Sequence, residues 1–174
     1  MAPYVLIALR RRAVGRLFVG LGAAAALVVV AVGGEDAREA TIALGAAVVG
    51  AAFTAWIAFT LERGGLEQRA RAARPAPPDA DVLPDSGLRP RRALAVGIAM
   101  LAYVVLAATL LGLAVALTIP AVAAGIGGAS LLAARWAERY ERERGGRLVA
   151  ERPEGVRART PDLFLVRPEA PAPT

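Results

Sequence analysis

The sequence predicts an all-α membrane protein in which four transmembrane helices form a bundle of two helical hairpins. Three observations lead to this fold class. The 174-residue chain is 56% hydrophobic, which is too apolar for a typical soluble domain of that length. Its apolar residues fall in long segments without charge. Its arginines lie between and after those segments, and an arginine is costly to place inside a bilayer.

Composition also limits the chemistry. The chain has no cysteine and no histidine, which excludes disulfides, thiolate nucleophiles, imidazole bases and the usual ligands of zinc, haem and iron-sulfur clusters. No phosphate-binding glycine loop or HExxH metal pattern is present. We therefore predict that the protein is not an enzyme, with no catalytic residue, no cofactor and no metal. Arginine is the sole basic residue type, which is typical of a GC-rich, bacterial genome.

The first hairpin follows from two uncharged segments. Residues 17–32 reach the length of a span, about 21 residues, if Arg16 extends its side chain to the headgroups. Residues 40–61 carry no charge over 22 positions and contain Trp56 near their end. A cleaved signal peptide is the alternative for the first segment, but the small-residue cleavage pattern after Val32 is poor.

The second hairpin follows from one uncharged segment of 42 residues, 93–134. As a single helix it would extend roughly 63 Å, about twice the hydrocarbon thickness, so we expect it to fold back. The reversal is predicted between Gly112 and Pro120. Thr118 is expected to cap the next helix, with Pro120 in its first turn, where a missing amide donor costs little.

These segments divide the chain into nine parts. They are a cytoplasmic amino terminus (1–12), helix one (13–33), an external loop (34–39), helix two (40–61), a cytoplasmic linker rich in Pro and Arg (62–92), helix three (93–113), an external turn (114–117), helix four (118–137) and a cytoplasmic tail (138–174).

The distribution of arginine predicts the orientation. Twenty of the 21 arginines fall in the amino terminus, the linker or the tail, or at the adjoining helix ends (Arg16 and Arg135), and Arg38 in the external loop is the exception. The positive-inside rule makes that side cytoplasmic, so we expect a multi-pass protein of the plasma or inner membrane with both termini inside. Membrane lipids are expected partners because basic residues near a span attract anionic headgroups. A nucleic-acid partner is not expected, since no aromatic stacking platform accompanies the arginines.

The linker and the tail carry local signals. Residues 62–74 can continue the second helix briefly, although Gly64 and Gly65 favour an end or a kink at the membrane surface. The prolines after them predict a flexible, partly extended tether. The fourth helix is expected to run into the tail and to stop at Gly145 and Gly146. The apolar segments 148–150 and 163–166 can form short extended strands that pair with each other or with a partner.

Spacing within the fourth helix predicts two side-chain pairs. Glu138 and Arg142 are separated by four residues, which suits an ion pair on one helix face. Trp136 and Tyr140 share another face one turn apart, and we predict that they, with Trp56, anchor the helices at the headgroup layer.

Small residues are the most informative packing signal. In lipid, helices associate by close van der Waals contact, which small side chains permit. Helices two and four each carry a face of small residues, which we predict to be used for internal packing or for an oligomer interface. The candidate positions are Ala43, Ala47, Gly50, Ala51 and Ala55 in helix two and Ala121, Gly125, Ala129 and Ala133 in helix four.

The predicted function is that of a non-enzymatic accessory or scaffold subunit, which forms a homo-oligomer or joins a larger membrane protein. In span count and size the chain resembles the small membrane subunits of tripartite solute transporters and holin-type proteins. That resemblance implies the alternative, a transport or pore-forming component, and it transfers no residue. A match of 62–65 with 143–146 at an offset of 81 residues suits a parallel repeat, although coincidence explains it better.

Overall fold

The computed structural model describes residues 4–33, 37–77, 82–83, 90–111, 113–151 and 162–166. The predicted helical architecture is confirmed in its coarse form, because most of these residues are helical. The helices are α1 (Ile7–Gly33), α2 (Ala37–Arg71), α3 (Pro90–Leu110), α4 (Leu113–Ala116) and α5 (Thr118–Arg144). The strands are β1 (Tyr4–Leu6), β2 (Arg74–Pro75), β3 (Val82–Leu83), β4 (Arg147–Glu151) and β5 (Leu163–Val166).

Three helices are long and apolar enough to cross a membrane, by length and composition: α1, α2 and α5. Helix α3 has 21 residues, about 32 Å, but the part of it that qualifies as apolar is the shorter segment Leu94–Ala107. Helix α3, which corresponds to the third of the four predicted spans, is therefore the one whose membrane crossing requires a separate argument.

The long helices form a row in the order α3, α1, α5, α2. Helix α5 packs most extensively on α1 and next on α2, whereas α3 packs mainly on α1. Helices α1 and α2 follow each other in sequence but contact each other little. The predicted hairpin of helices one and two is therefore not a packed pair, because α5 lies between α1 and α2.

Helices α1 and α5 approach closely through glycine. A Cβ atom added to Gly127 would lie 2.8 Å from the carbonyl oxygen of Gly15 and 2.8 Å from the amide nitrogen of Val19. One added to Gly22 would lie 2.7 Å from the carbonyl oxygen of Pro120. Position 15 therefore faces position 127, and position 22 faces position 120. The two helices run antiparallel, in contact along two turns of backbone.

The five strands form one sheet in the order β2-β5-β4-β1-β3. Strand β4 is antiparallel to both β5 and β1, while the two-residue strands β2 and β3 add parallel edges. The sheet combines the first described residues with the linker and the tail. We call the end of the helix row that carries this sheet the sheet end, and the opposite end the loop end.

The pairing of the two tail segments, 148–150 and 163–166, is as predicted, since they lie in β4 and β5. The participation of β1, β2 and β3 was not predicted, so the expectation that extended segments lie in the tail alone is wrong, although the protein is mostly helical as predicted. Short strands with one apolar face are marginal by themselves. The helix ends beneath them supply the apolar surface that they need.

The second helix does not end at Gly64 and Gly65. Helix α2 continues through Gly64 and Gly65 to Arg71, because Leu66 and Ala70 on its last turns are buried against the sheet end. That burial outweighs the cost of two glycines, about 1 kcal/mol each. The linker is therefore partly helical and partly strand, and residues 78–81 and 84–89 of it lie outside the described residues.

At the loop end, Thr118 does not cap α5. The residue before the helix is Leu117, without a side-chain cap, and the Thr118 hydroxyl donates instead to the carbonyl of Val115 at 2.7 Å. The short helix α4 occupies the reversal, and Pro120 lies in the first turn of α5. Gly112, the predicted end of helix three, lies outside the described residues.

The stop at the other end of α5 is confirmed. Gly145 adopts a left-handed conformation, with φ of 60°, and the amides of Gly145 and Gly146 donate to the carbonyl of Glu141. Glycine adopts this conformation at little cost, which explains why the helix ends here.

The contact between α1 and α5 predicts a difference between two Gly→Ala variants. Gly127→Ala should lower stability by about 1–3 kcal/mol because its methyl group collides with the backbone of α1. Gly45→Ala is the matched control, since a Cβ at that position meets nothing within 4 Å. Thermal unfolding of both proteins in detergent measures the difference, and equal midpoints would contradict the described contact.

Candidate functional site

An apolar cluster at the sheet end holds the sheet against the helices. It brings together three helices and two strands, and we call it the sheet-end core. Its buried members are Ile7 and Ala8 of α1, Leu66 and Ala70 of α2, Ala133 and Ala137 of α5, and Leu148, Ala150 and Leu163 of β4 and β5.

Two adjacent arginines of α1 join the three long helices at this end. Arg11 donates two hydrogen bonds to the carboxylate of Glu62 in α2, at 2.7 and 3.1 Å. Arg12 forms an ion pair with Glu138 of α5. Two-pronged contact between a guanidinium and a carboxylate fixes geometry as well as charge. The sequence prediction of a pair between Glu138 and Arg142 is wrong, because Glu138 is taken by α1 and Arg142 donates to the Glu138 carbonyl.

The predicted aromatic anchors lie in two different environments. The rings of Trp136 and Tyr140 stack with centroids 5.3 Å apart and pack against the sheet-end core. The Tyr140 hydroxyl donates to the carbonyl of Ala70 in α2 at 3.0 Å. Trp56 is 63% exposed and has the ring of Phe53 6.1 Å away. The first two rings thus join α5 to α2, and the third faces outward.

The turn between α5 and β4 is held by Glu141. Its carboxylate accepts a hydrogen bond from the amide of Leu148 at 2.8 Å, while its carbonyl accepts from the glycine pair described above. One residue therefore links the end of the helix to the strand that follows. The orientation of β4 on the helix row is fixed by this link.

The outer face of the sheet has an apolar centre, beside which lie two exposed arginines, Arg74 and Arg147. Val149 pairs with Leu6 on one side and with Phe164 on the other, and paired residues point to the same face. Leu148 and Ala150 point to the helices, so these side chains point away from them. The ring of Tyr4 meets that of Phe164 edge to face, with centroids 5.4 Å apart. Three partly exposed apolar side chains thus surround a buried valine.

The candidate packing residues of α2 and α5 lie mostly between those two helices. A Cβ on Gly125 would be 2.8 Å from the carbonyl oxygen of Ala51 and 2.6 Å from the Cβ of Thr54. Ala55 lies against the next glycine of α5, Gly128. On α5, Ala129 and Ala133 are buried.

Nearer the loop end the same two faces separate. Ala43 and Ala47 pack at the border of an apolar cluster there. Together with Gly50 and Ala121 they line an apolar cavity of about 260 Å³ between α2 and α5. Small residues therefore permit contact near the middle of the helices and leave a groove beyond it.

Sequence reasoning missed two features of this end of the molecule. The first is the contact of α1 with α5, for which Gly15 and Gly22, seven residues apart on α1, were an available signal. The second is the set of ion pairs of Arg11 and Arg12. Their partners are 51 and 126 residues away in sequence, and no local pattern indicates them.

The carboxylates of the described residues are dispersed. Within them, no group of three or more Asp or Glu side chains lies close enough together to hold a metal ion. Comparison of the chain with protein-family models, with curated proteins and with solved structures gave no match in any of the three. What this end of the molecule provides is a folded surface, fastened by ion pairs to three helices.

The hydrogen bond of Tyr140 predicts that Tyr140→Phe lowers stability by about 1 kcal/mol, because the Ala70 carbonyl loses the Tyr140 hydroxyl and keeps the amide of Ala73 as its donor, while the stacked ring remains. Tyr103→Phe is the matched control. Its hydroxyl is 3.5 Å from the carbonyl oxygen of Val115, in an exposed position. Unfolding of both variants in detergent should show a loss for the first alone, and an equal loss in both would contradict this role.

Proposed function

We propose that this chain is a four-span membrane protein with both ends in the cytoplasm, and that it acts as a non-enzymatic accessory or scaffold subunit. The pairing of β1 with β4 is the observation that carries the proposal. Open sheet edges do not occur within lipid, so two paired strands must lie on one side of the membrane. The chain between them then crosses an even number of times.

An even number of membrane crossings requires a fourth span, and α3 is the helix that can supply it. Helices α1, α2 and α5 have the length and composition of spans, which makes three crossings. Helix α3 is long enough to supply the fourth, at about 32 Å against a hydrocarbon core of about 30 Å. It packs on α1 within the row, where its shorter apolar segment has a helical neighbour.

The orientation is proposed from charge. Apart from Arg38, the described arginines lie in the amino-terminal parts of α1 and α3, in the carboxyl-terminal parts of α2 and α5, or in strands β2 and β4, and these parts of the chain are those joined to the sheet end. The positive-inside rule assigns that end to the cytoplasm of a bacterial cell, at the plasma membrane.

A scaffold role is supported by the use of the cytoplasmic segments. Strands from the amino terminus, the linker and the tail all form one sheet, which packs on the helix ends. Its outer face presents Tyr4, Leu6 and Phe164, partly exposed. Aromatic residues at the centre of an apolar patch are typical of protein contacts.

The surface used for association in the membrane differs from the one that the sequence indicated. The small-residue faces of α2 and α5 are largely occupied by each other, so we propose that the outer face of α2 meets a partner or a second copy. This face carries large exposed side chains such as Val49, Phe53 and Trp56. The alternative, a transport or pore-forming component, rests on the number of spans, and no contact among the described residues favours it.

The topology predicts the location of reporters fused to the chain. Fusions after Asp36 and after Leu111 should lie outside the cytoplasm, and a fusion after Pro171 should lie inside. Enzymatic reporters active on one side of the membrane make the measurement. Asp36 and Pro171 on the same side would contradict the topology, and Leu111 on the cytoplasmic side would remove α3 from the spans.

The scaffold role predicts stable association. Isolation of the full chain in mild detergent should yield an oligomer or a complex with a membrane partner. Phe164→Ser should lower the yield of that complex roughly 30-fold if the ring is central to the contact. Arg139→Ser, at an exposed position on α5 outside the sheet, is the control and should leave the yield unchanged. A monomer without partners would contradict the role.

A further inference from the structure

A second cavity lies at the sheet end, where α1 and α2 are held apart by α5. Its volume is about 350 Å³, which is within the range of small-ligand sites. Its lining is mixed, with apolar and charged side chains in equal number. They are Ile7, Val14, Leu66 and Leu163, and Arg10, Arg11, Glu62 and Arg69.

The charged part of this lining is positive. Three guanidinium groups face one carboxylate, and Arg11 is bound to that carboxylate, Glu62, through two hydrogen bonds. The Nε atom of Arg69 donates to the carbonyl oxygen of Gly65 at 3.0 Å, which fixes the position of its guanidinium. Because three guanidinium groups outnumber one carboxylate, the lining carries a net positive charge that attracts an anion.

The position of the cavity indicates the source of that anion. Arg10 and Arg11 precede the uncharged part of α1, and Glu62 and Arg69 follow that of α2. In the proposed orientation, both sets lie at the level of the cytoplasmic headgroups. Val14 and Leu66 provide apolar wall on the same two helices.

We propose that this cavity binds the phosphate headgroup of an anionic phospholipid from the cytoplasmic leaflet. Guanidinium groups match phosphate oxygens in geometry and charge, and basic pockets between helices at this depth suit such headgroups. The apolar walls take the glycerol and the first methylene groups of the acyl chains. The inference rests on the proposed membrane orientation and is independent of any protein partner.

A soluble phosphate ester carries the same headgroup chemistry, so the test needs both ligands. The full chain is purified in a neutral detergent and titrated with phosphatidylglycerol, with phosphatidylcholine or with glycerol 3-phosphate, and thermal stabilisation gives the affinity. Phosphatidylglycerol should bind at least about tenfold more tightly than phosphatidylcholine. Glycerol 3-phosphate at the same concentration should give no shift.

Three single variants of α2 make the test specific. Arg69→Gln should weaken phosphatidylglycerol binding roughly fivefold, and Glu62→Gln should strengthen it by a similar factor, because it removes the one negative charge of the lining. Arg63→Gln is the matched control. That arginine is exposed, lies one residue after Glu62 and is outside the cavity lining, so the affinity should be unchanged. For each variant, the unfolding midpoint with lipid is compared with the midpoint of the same variant without lipid.

Equal losses in Arg63→Gln and Arg69→Gln would overturn the proposal, because they would indicate general attraction to the basic surface. Weaker binding by Glu62→Gln would overturn it as well. Binding of glycerol 3-phosphate as tight as that of the lipid would overturn the assignment to a membrane lipid. The scaffold proposal fails separately, since a monomer without partners can still bind phosphatidylglycerol in this assay.

Discussion

The close approach of α1 and α5 is the contact on which the rest of the molecule depends. Lipid offers no hydrophobic drive between helices, so the association rests on van der Waals contact, which Gly15, Gly22 and Gly127 permit at backbone distance. That contact makes α5 the centre of the row. It also brings the start of α1 beside the end of α5, where Arg12 meets Glu138 and β1 meets β4.

Much of the helical framework could be predicted from the sequence, because charge-free segments of span length leave few alternatives in lipid. The end of α5 could be predicted as well, since Gly145 is a local signal with a local cause. The sheet could not. Tyr4 pairs with Glu151 across nearly the whole chain, and three of the five strands have only two or three residues. Short strands are stable only beside neighbouring strands or helices, and the local sequence does not indicate which neighbours these are.

The candidate site also has features that could be predicted from the sequence and features that could not. Helical spacing placed Trp136 and Tyr140 on one face, and they do stack, but the partner of Tyr140 is a backbone carbonyl of α2. Spacing also favoured a local pair of Glu138 with Arg142, worth a few tenths of a kcal/mol on an exposed helix. The structure uses Glu138 for a contact between helices instead. Packing decided both cases, and packing is not a local property of sequence.

The strand order of the sheet has a consequence for how the protein is made. Strand β1 precedes its neighbour β4 by more than 140 positions in the chain. At 5–20 residues per second, the ribosome needs on the order of ten seconds to produce that neighbour. During this interval the two-residue strand β3 can pair with one edge of β1, while the edge that belongs to β4 stays unpaired. A chain that stops before β4 therefore exposes a strand edge that the finished molecule covers.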